Sequence, residues 1–413
     1  MNSRRNFIKK TASASFLASL VSTQSIFASR LGVVEKLSDG NYSDLFMLGS
    51  KITYFNHASI GTIPKMIHEA HVEYLKLCET NPWLYTWSDP WVKKKEEVRE
   101  KVADFCGCKP SEIALTHNTT SGMNLLASGL SLKSGHEVLY SSFNHSGARV
   151  CWEHYAKVKG YAFRKFQFEE RHWKTEDDIV DAYISQLKPE TKVVVIPHID
   201  NIIGALHPVR KIAKAVKEKG VKYVAVDGAQ SIGLINVNLS ELGVDFYATS
   251  PHKWIQSPKG TGFLYMNEAV QKEVNPMIVT WGQKKWAGDI KVFEDFGTRD
   301  LPEVMAIGDA IDFQNKIGFE KSIEIRRGLR DYFKNKVNES DQVSWKSPEG
   351  YAEDVSIFAI EVNGRKANEL SKDLYENHGF VFRPFESDSR NTIRISLNIG
   401  NTKDEIDLFF ELI

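Results

Sequence analysis

Cysteine is scarce in this sequence, with four in 413 residues. No two of the four form the C-x-x-C spacing that is typical of zinc sites and redox pairs. They are Cys78, Cys106, Cys108 and Cys151. A disulfide framework is therefore not expected, and no metal ligands are predicted.

Net charge is absent as well, because 53 basic residues balance 53 acidic ones. There is no long basic run, so neither nucleic acid nor an acidic membrane surface is expected as a partner. Internal repeats and low-complexity tracts are also missing. A chain of 413 residues with this balance suits a globular enzyme or binding protein of two packed domains.

Two phosphate-binding motifs cannot be found. No G-x-G-x-x-G follows the first predicted strand, and there is no G-x-x-x-x-G-K-[ST] loop. A nucleotide-binding α/β protein is therefore the least favoured class.

The first thirty residues differ in character from the rest. A basic stretch with the pair Arg4-Arg5 precedes a weakly apolar run over Ala12–Val21 and small residues near Ala28. This order predicts a twin-arginine export signal over residues 1–29, with a mature chain starting near Ser29 in the periplasm. The run is too short and too serine-rich to span a bilayer, so no membrane insertion is expected after processing. An amphipathic helix or a disordered tail is the alternative.

Seven apolar runs rich in β-branched and aromatic residues alternate with helical patterns. The runs are Ile113–Thr116, Glu137–Ser142, Ala162–Phe166, Lys192–Pro197, Lys222–Asp227, Val244–Ser250 and Gly262–Met266. Helical patterns cover Ser121–Leu132, Gly147–Lys159, Glu176–Leu187 and Val209–Lys219. Such alternation predicts an α/β fold with a mostly parallel sheet covered by helices.

After Asn267 the pattern changes to that of a smaller α+β domain. One long helical stretch is predicted over Pro302–Lys336, followed by strand-like Val355–Val362, helix-like Arg365–His378, strand-like Thr392–Leu397 and a final helix from Lys403. We therefore predict a large domain over 65–300 and a small domain over 301–413. The segment 30–64 is predicted to pack near the small domain and the active site.

Asp227 and Lys253 follow neighbouring predicted strands. In a parallel sheet, residues beyond the carboxyl ends of the strands share one crevice. A lysine amine that binds an aldehyde and a carboxylate that holds a pyridine nitrogen protonated are what pyridoxal 5′-phosphate (PLP) requires. The pair therefore indicates a PLP site. A surface lysine and a helix-capping aspartate are the plain alternatives.

Four motifs, in this order, resemble those of the class V aminotransferase group, which includes cysteine desulfurases and isopenicillin N epimerase-like proteins. They are Tyr54-Phe55-Asn56-His57-Ala58-Ser59-Ile60-Gly61, Asn118-Thr119-Thr120-Ser121-Gly122, Asp227-Gly228-Ala229-Gln230 and Ser250-Pro251-His252-Lys253. The resemblance runs from about Tyr54 to the C-terminus. It implies a type I PLP-dependent fold and a homodimer with active sites at the subunit interface.

The resemblance also implies a role for each matching residue. It makes Lys253 the catalytic lysine that carries PLP and His145 the residue that stacks on the cofactor ring. Asp227 would be the partner of the pyridine nitrogen, and Gln230 would bind the phenolic oxygen. The implied phosphate ligands are Thr120, Ser250 and His252, with Thr298 contributed by the partner subunit. Arg394 would bind a substrate carboxylate, with Asn201 nearby.

Physical chemistry supports part of this reading. Thr119 and Thr120 open a predicted helix, where backbone N–H groups and hydroxyls favour a phosphate. A capping turn would show the same residues. The planar fork of Arg394 suits a carboxylate, although a surface ion pair would also use an arginine.

One departure from the family separates its branches. The stretch 380–391, where cysteine desulfurases carry a sulfur-accepting cysteine, has none. Persulfide chemistry is therefore disfavoured. The epimerase-like branch is favoured, whose exported members include an enzyme that tailors a siderophore side chain.

The expected function is that of a PLP enzyme acting at the α-amino carbon of a small amino substrate, by epimerisation or transamination. A C–S or C–N lyase, or a PLP-fold protein that only binds an amine, remains an alternative.

Overall fold

The computed structural model of the chain describes residues 42–169, 174–350 and 352–413. The predicted export signal over residues 1–29 lies outside these ranges. Within them, no helix has both the length and the apolar composition needed to cross a membrane.

A seven-stranded sheet forms the centre of the large domain, with strand order β2-β8-β7-β6-β5-β3-β4. Only β8 runs antiparallel to its neighbours; the other pairs are parallel. The sheet strands are β2 (Ile113–Thr116), β3 (Glu137–Ser141), β4 (Ala162–Phe166), β5 (Thr191–Pro197), β6 (Tyr223–Asp227), β7 (Phe246–Thr249) and β8 (Gly262–Met266). All seven predicted strands are confirmed, and most are buried along their whole length because helices cover both faces.

Helices on this sheet include the four predicted ones, with slightly different ends: Thr119–Gly129, Ser146–Lys159, Glu176–Ile184 and Val209–Glu218. Three further helices, over Lys65–Thr80, Pro82–Trp87 and Asp89–Cys106, precede the sheet. Pro82 occupies the first position of its helix, where a missing N–H costs nothing, and the Asn81 side chain caps that helix by accepting from Leu84 N. A short helix, Gly282–Lys285, lies in the loop after β8.

The small domain has a four-stranded antiparallel sheet of order β12-β13-β10-β9. These strands are β9 (Val343–Trp345), β10 (Ile357–Val362), β12 (Arg383–Ser387) and β13 (Arg390–Ser396). Helices Phe319–Asn338, Ala367–His378 and Lys403–Glu411 belong to the same domain. The prediction of one helix over Pro302–Lys336 is wrong: Gly318, at a φ of 87°, separates helix Pro302–Ile317 from helix Phe319–Asn338.

The segment before the first helix joins the small domain to the active site. Strand β1 (Thr53–Tyr54) pairs in parallel with β11 (Phe380–Val381). A little further on, Gly61 N donates to His252 O at 3.1 Å. Helix Pro302–Ile317, in turn, packs on Lys65–Thr80 and Asp89–Cys106. The exact domain boundaries stay predictions.

Candidate active site

A cavity of about 640 Å³ opens at the carboxyl ends of β6 and β7. Its wall contains ten of the eleven residues predicted for the site: Thr119, Thr120, His145, Asn201, Asp227, Gln230, Ser250, His252, Lys253 and Arg394. Thr298 is exposed and does not line the cavity. Its role on the partner subunit stays a prediction.

Lys253 follows β7 in a tight turn, in which its backbone N donates to Ser250 O at 3.1 Å. Burial lowers the pKa of the Lys253 amine to about 8; the nearby Asp227 carboxylate raises it and the Arg394 guanidinium lowers it. The amine is therefore neutral, and nucleophilic, far more often near neutral pH than that of an exposed lysine.

Asp227 ends β6 and is almost completely buried. Its Oδ1 accepts from Ala229 N at 3.0 Å. Burial raises the pKa of Asp227, while the Ala229 N–H, His145 and Lys253 oppose that shift. A carboxylate so poorly solvated gains strongly from a cationic nitrogen beside it, as required of a partner for a protonated pyridine.

His145 caps helix Ser146–Lys159: its Nδ1 accepts from Gly147 N at 3.0 Å. This hydrogen bond assigns the ring proton of neutral His145 to Nε2. Burial lowers the pKa of His145. The site thus holds a neutral imidazole whose Nε2–H is its remaining donor.

A phosphate cradle lies at the N-terminus of helix Thr119–Gly129. Ser250 Oγ accepts from Thr119 N at 3.0 Å and lies 2.8 Å from Thr119 Oγ1. The helix approaches β7 closely, since a Cβ on Gly122 would lie 2.8 Å from Ala248 Cβ. Backbone N–H groups and hydroxyls therefore converge where an anion binds well.

His252 lines the same part of the cavity. Its Nδ1 lies 3.1 Å from Thr261 O, which accepts the Nδ1 proton, and burial lowers the pKa of His252 to about 4. The neutral ring has no proton on Nε2. Contact with a phosphate through Nε2 would therefore need protonation, which a bound dianion favours.

Arg394 reaches the cavity from β13 in the small domain. Its Nη1 donates to Asn201 O at 2.7 Å, and its Nη2 donates to Asn56 Oδ1 at 2.9 Å and Ser59 Oγ at 2.6 Å. Burial lowers the pKa of Arg394 to about 10. The guanidinium is thus held rigidly but remains charged at neutral pH, as recognition of a carboxylate requires.

Gln230 is held on both sides of its amide. Its Nε2 donates to Ala58 O at 2.8 Å, and its Oε1 accepts from Trp254 Nε1 at 2.9 Å. The second amide hydrogen remains to meet an acceptor in the cavity.

Sequence reasoning missed several residues that the structure brings to this site. Asn56 and Ser59 orient Arg394, yet they were only part of a quoted motif. Cations at Arg149, Lys165 and Arg383 also line the cavity. Arg383 was missed because Arg383–Ser387 lacks the period-2 pattern of a half-buried strand, and only the pairing with β13 shows that it is one.

These groups fit PLP: a half-buried lysine of lowered pKa, a buried carboxylate, a neutral imidazole and a helix N-terminus with hydroxyls surround one cavity. The sheet, its site at the strand ends and the small α+β domain define the type I fold of PLP-dependent enzymes. Residues 53–409 match the aminotransferase class-V family, and the chain belongs to this family of PLP-dependent enzymes.

The named relatives include isopenicillin N epimerases and cysteine desulfurases. The chain is 28% identical over 326 residues to isopenicillin N epimerase of Streptomyces clavuligerus, covering 75% of this chain and 81% of the relative. It is also 28% identical over 382 residues to a probable cysteine desulfurase of Methanothermobacter thermautotrophicus, covering 87% and 93%.

Solved structures of similar fold include the cystine C–S lyase C-DES, with a TM-score of 0.78, 23% identity and coverage of 88% of this chain and 97% of that one. The cysteine desulfurase of Thermococcus onnurineus NA1 has a TM-score of 0.77 and 23% identity, covering 90% and 97%. At these identities the likeness shows the fold.

Proposed function

We propose that the protein is an exported PLP enzyme that acts at the α-amino carbon of an amino acid or amino-acid-like substrate, as an epimerase or aminotransferase. One observation carries this proposal: Lys253, Asp227, His145 and Arg394, drawn from both domains, line a single cavity. The lysine supplies an amine, the aspartate an anion, and the arginine a recognition site for a carboxylate.

PLP, when bound, supplies an electron sink that stabilises negative charge at the α-carbon of the substrate. Arg394 orients the substrate through its carboxylate, so that the α-hydrogen faces the catalytic base. The Lys253 amine removes that proton, and its lowered pKa suits it as the base. In epimerisation a proton then arrives at the opposite face of the α-carbon, and in transamination the proton is delivered to another atom instead. Asp227 would hold the cofactor at its pyridine nitrogen and stabilise positive charge there, and His145 would hold the cofactor ring.

Elimination is the second candidate, as a C–S or C–N lyase. It is supported by the relatives named as cysteine desulfurases. Transfer of sulfur to a cysteine of the enzyme itself is not supported. All four cysteines lie in the described ranges, and none of them lines the cavity. Burial also raises the pKa of the Cys151 thiol to about 12. Tailoring of a siderophore side chain is one form that the substrate can take, and a PLP-fold protein that only binds an amine is the non-catalytic alternative.

The cofactor role of Lys253 is tested on the purified protein. We expect visible absorbance from lysine-bound PLP and, after borohydride reduction, PLP fixed to Lys253 in a peptide map. Lys253→Ala should abolish turnover, whereas Lys259→Ala, at an exposed lysine on the same segment, should leave the label in place. A protein that stays colourless after PLP is added contradicts the proposal.

The reaction type is tested by supplying candidate amino donors and analysing the products. Epimerisation incorporates one solvent deuterium at the α-carbon without changing the carbon skeleton. Transamination yields a keto acid, and elimination releases a β- or γ-substituent. A protein that forms the lysine-bound cofactor but converts none of these substrates favours the binding-only alternative.

Export and dimer formation belong to the same proposal. The Arg4-Arg5 pair supports the twin-arginine route, with the periplasm as destination and the export machinery as a partner. Changing both arginines to lysine keeps the charge but removes the recognised pair, so the chain should remain in the cytoplasm by cell fractionation. Unchanged export of the double variant contradicts this route.

A further inference from the structure

The cavity has a surplus of positive charge. Only one of its lining residues is a carboxylate, Asp227. The cationic lining residues are Arg149, Lys165, Lys253, Arg383 and Arg394. A surplus of one sign around a cavity attracts ligands of the other sign.

The proposed function accounts for only part of that surplus. Lys253 attaches the cofactor, and Arg394 takes one substrate carboxylate. Arg149 already forms a salt bridge with Glu153. Of the five cations that line the cavity, Arg383 and Lys165 have no role in the proposed function. In the part of the chain that the structure describes, neither is paired with a carboxylate.

Arg383 lies directly beside Arg394. The two are opposite each other on the antiparallel strands β12 and β13, so their side chains project from the same face of the sheet. Their guanidinium carbons lie 5.9 and 5.7 Å from the centroid of the Phe385 ring. Like charges opposite each other destabilise a strand pair, and repulsion from Arg383 adds to burial in lowering the pKa of Arg394.

The phosphate of the cofactor does not explain this pair. Its cradle is at the N-terminus of helix Thr119–Gly129 beside Ser250, on the large domain. Arg383 and Arg394 are on neighbouring strands of the small-domain sheet. The substrate side of the cavity is therefore where Arg383 can meet an anion other than the cofactor phosphate.

We infer that the substrate carries a second acidic group besides its α-carboxylate, and that Arg383 binds this group next to Arg394. This inference rests on the proposed function and narrows its substrate to a 2-aminodicarboxylic acid or a larger molecule with such a side chain. Lys165, on the edge strand β4, adds to the field that attracts the dianion. Arg383 is thus a specificity-determining residue.

Binding is measured first, because it does not depend on turnover. Glutarate carries two carboxylates and butyrate one, and both lack an amine. By calorimetry on the PLP-loaded enzyme at low salt, we expect glutarate to bind about tenfold or more tightly than butyrate, the factor of a charge-assisted hydrogen-bond pair. Succinate and adipate then report the spacing of the two acid groups.

The variants localise the effect. Arg383→Gln should remove most of the preference for glutarate, and Arg383→Lys should keep part of it because the charge stays and the fork is lost. Arg210→Gln, which removes an exposed arginine outside the cavity, is the matched control and should keep the full preference. Equal binding of glutarate and butyrate to the native enzyme, or equal losses on both ligands in Arg383→Gln, overturns the inference.

Turnover gives a second, separate readout. Glutamate and 2-aminoadipate should exceed glutamine in kcat/KM by about tenfold, and Arg383→Gln should lower that ratio. If no amino acid is converted but glutarate still binds through Arg383, the proposed function is wrong and the inference that Arg383 binds an acidic group is supported. If neutral amino acids are converted as well as acidic ones, the proposed enzyme function is supported and the inference that Arg383 binds a second acidic group is wrong.

Discussion

Arg394 has two kinds of partner at the residue scale. Its hydrogen bonds to Asn201, Asn56 and Ser59 fix the guanidinium. The second kind of partner is the substrate carboxylate that Arg394 would bind in the cavity. Arg394→Lys keeps the charge but loses the fork. We expect a rise in KM of roughly 10- to 100-fold for a substrate with a free α-carboxylate, from a loss of about 1.5–3 kcal/mol.

The visible spectrum provides the control for Arg394→Lys. Lysine-bound PLP should absorb as in the native enzyme, because Arg394 does not hold the cofactor in this arrangement. An amide or ester of the substrate should bind the native enzyme poorly and should lose little more in the variant. Native kinetics on every active substrate would show that Arg394 does not recognise the carboxylate.

Lys253 predicts a pH dependence of cofactor attachment. Since the neutral amine is the nucleophile and its pKa is lowered to about 8, the attachment rate to the cofactor-free protein should rise about tenfold per pH unit below 8 and level off above it. Arg394 lowers this pKa, so Arg394→Gln should move the midpoint to higher pH. Stopped-flow absorbance measures both profiles, and a midpoint near 10.5 in the native protein would contradict the shift.

At the scale of elements, the loop after β1 lies against the lysine turn. A Cβ on Gly61 would lie 1.9 Å from Lys253 O, a backbone atom that cannot yield without moving the turn. Gly61→Ala should therefore lower the free energy of unfolding by roughly 1–3 kcal/mol and speed the loss of PLP. Gly49→Ala, whose Cβ would meet Ile52 at an ordinary 3.7 Å, should change neither in thermal melts and dialysis. Equal behaviour of the two variants would show that the close approach is unimportant.

The large-domain strands were predictable because each is a short apolar run buried on both faces. Such a run carries its own signal, as in Tyr223–Asp227, where every residue is buried. The amphipathic helices Lys65–Thr80 and Asp89–Cys106 were overlooked. Many of their residues are charged, so the apolar residues of their buried faces are hard to recognise in the sequence. In helix Asp89–Cys106 one buried position is Arg99, whose ion pair with Glu294 can be seen only in the folded structure.

The small domain was harder to predict for a related reason. The break at Gly318 interrupts a helical pattern that is otherwise continuous on both sides. In strand β12 the two half-buried residues, Pro384 and Phe385, are adjacent and the other three are exposed, so the sequence lacks the period-2 pattern of a strand and only the pairing with β13 defines it. The cofactor residues could therefore be predicted from local sequence motifs. The roles of Asn56, Ser59 and Arg383 could not, because they depend on contacts with residues far away in the sequence.

At the scale of the whole molecule, Thr298 tests whether two chains share each site. It is exposed and outside the cavity of its own chain. If it binds the cofactor phosphate of a partner, Lys253→Ala and Thr298→Glu should each be inactive alone. Mixed after unfolding and refolding, half of the dimers are hybrids with one intact site of two, which gives roughly a quarter of native activity. No recovery in the mixture, with hybrids confirmed by mass, would contradict a shared site.

The contacts of Arg394 also determine when during its own synthesis the protein becomes functional. Asn56 and Ser59 lie 338 and 335 positions before their arginine partner. At about 5–20 residues per second, a ribosome needs roughly 20 to 70 seconds to add that length. Until β13 leaves the exit tunnel, the nascent chain has its cofactor residues but lacks Arg394. The proposed site for the substrate carboxylate is therefore completed last, after every residue assigned to the cofactor has been synthesised.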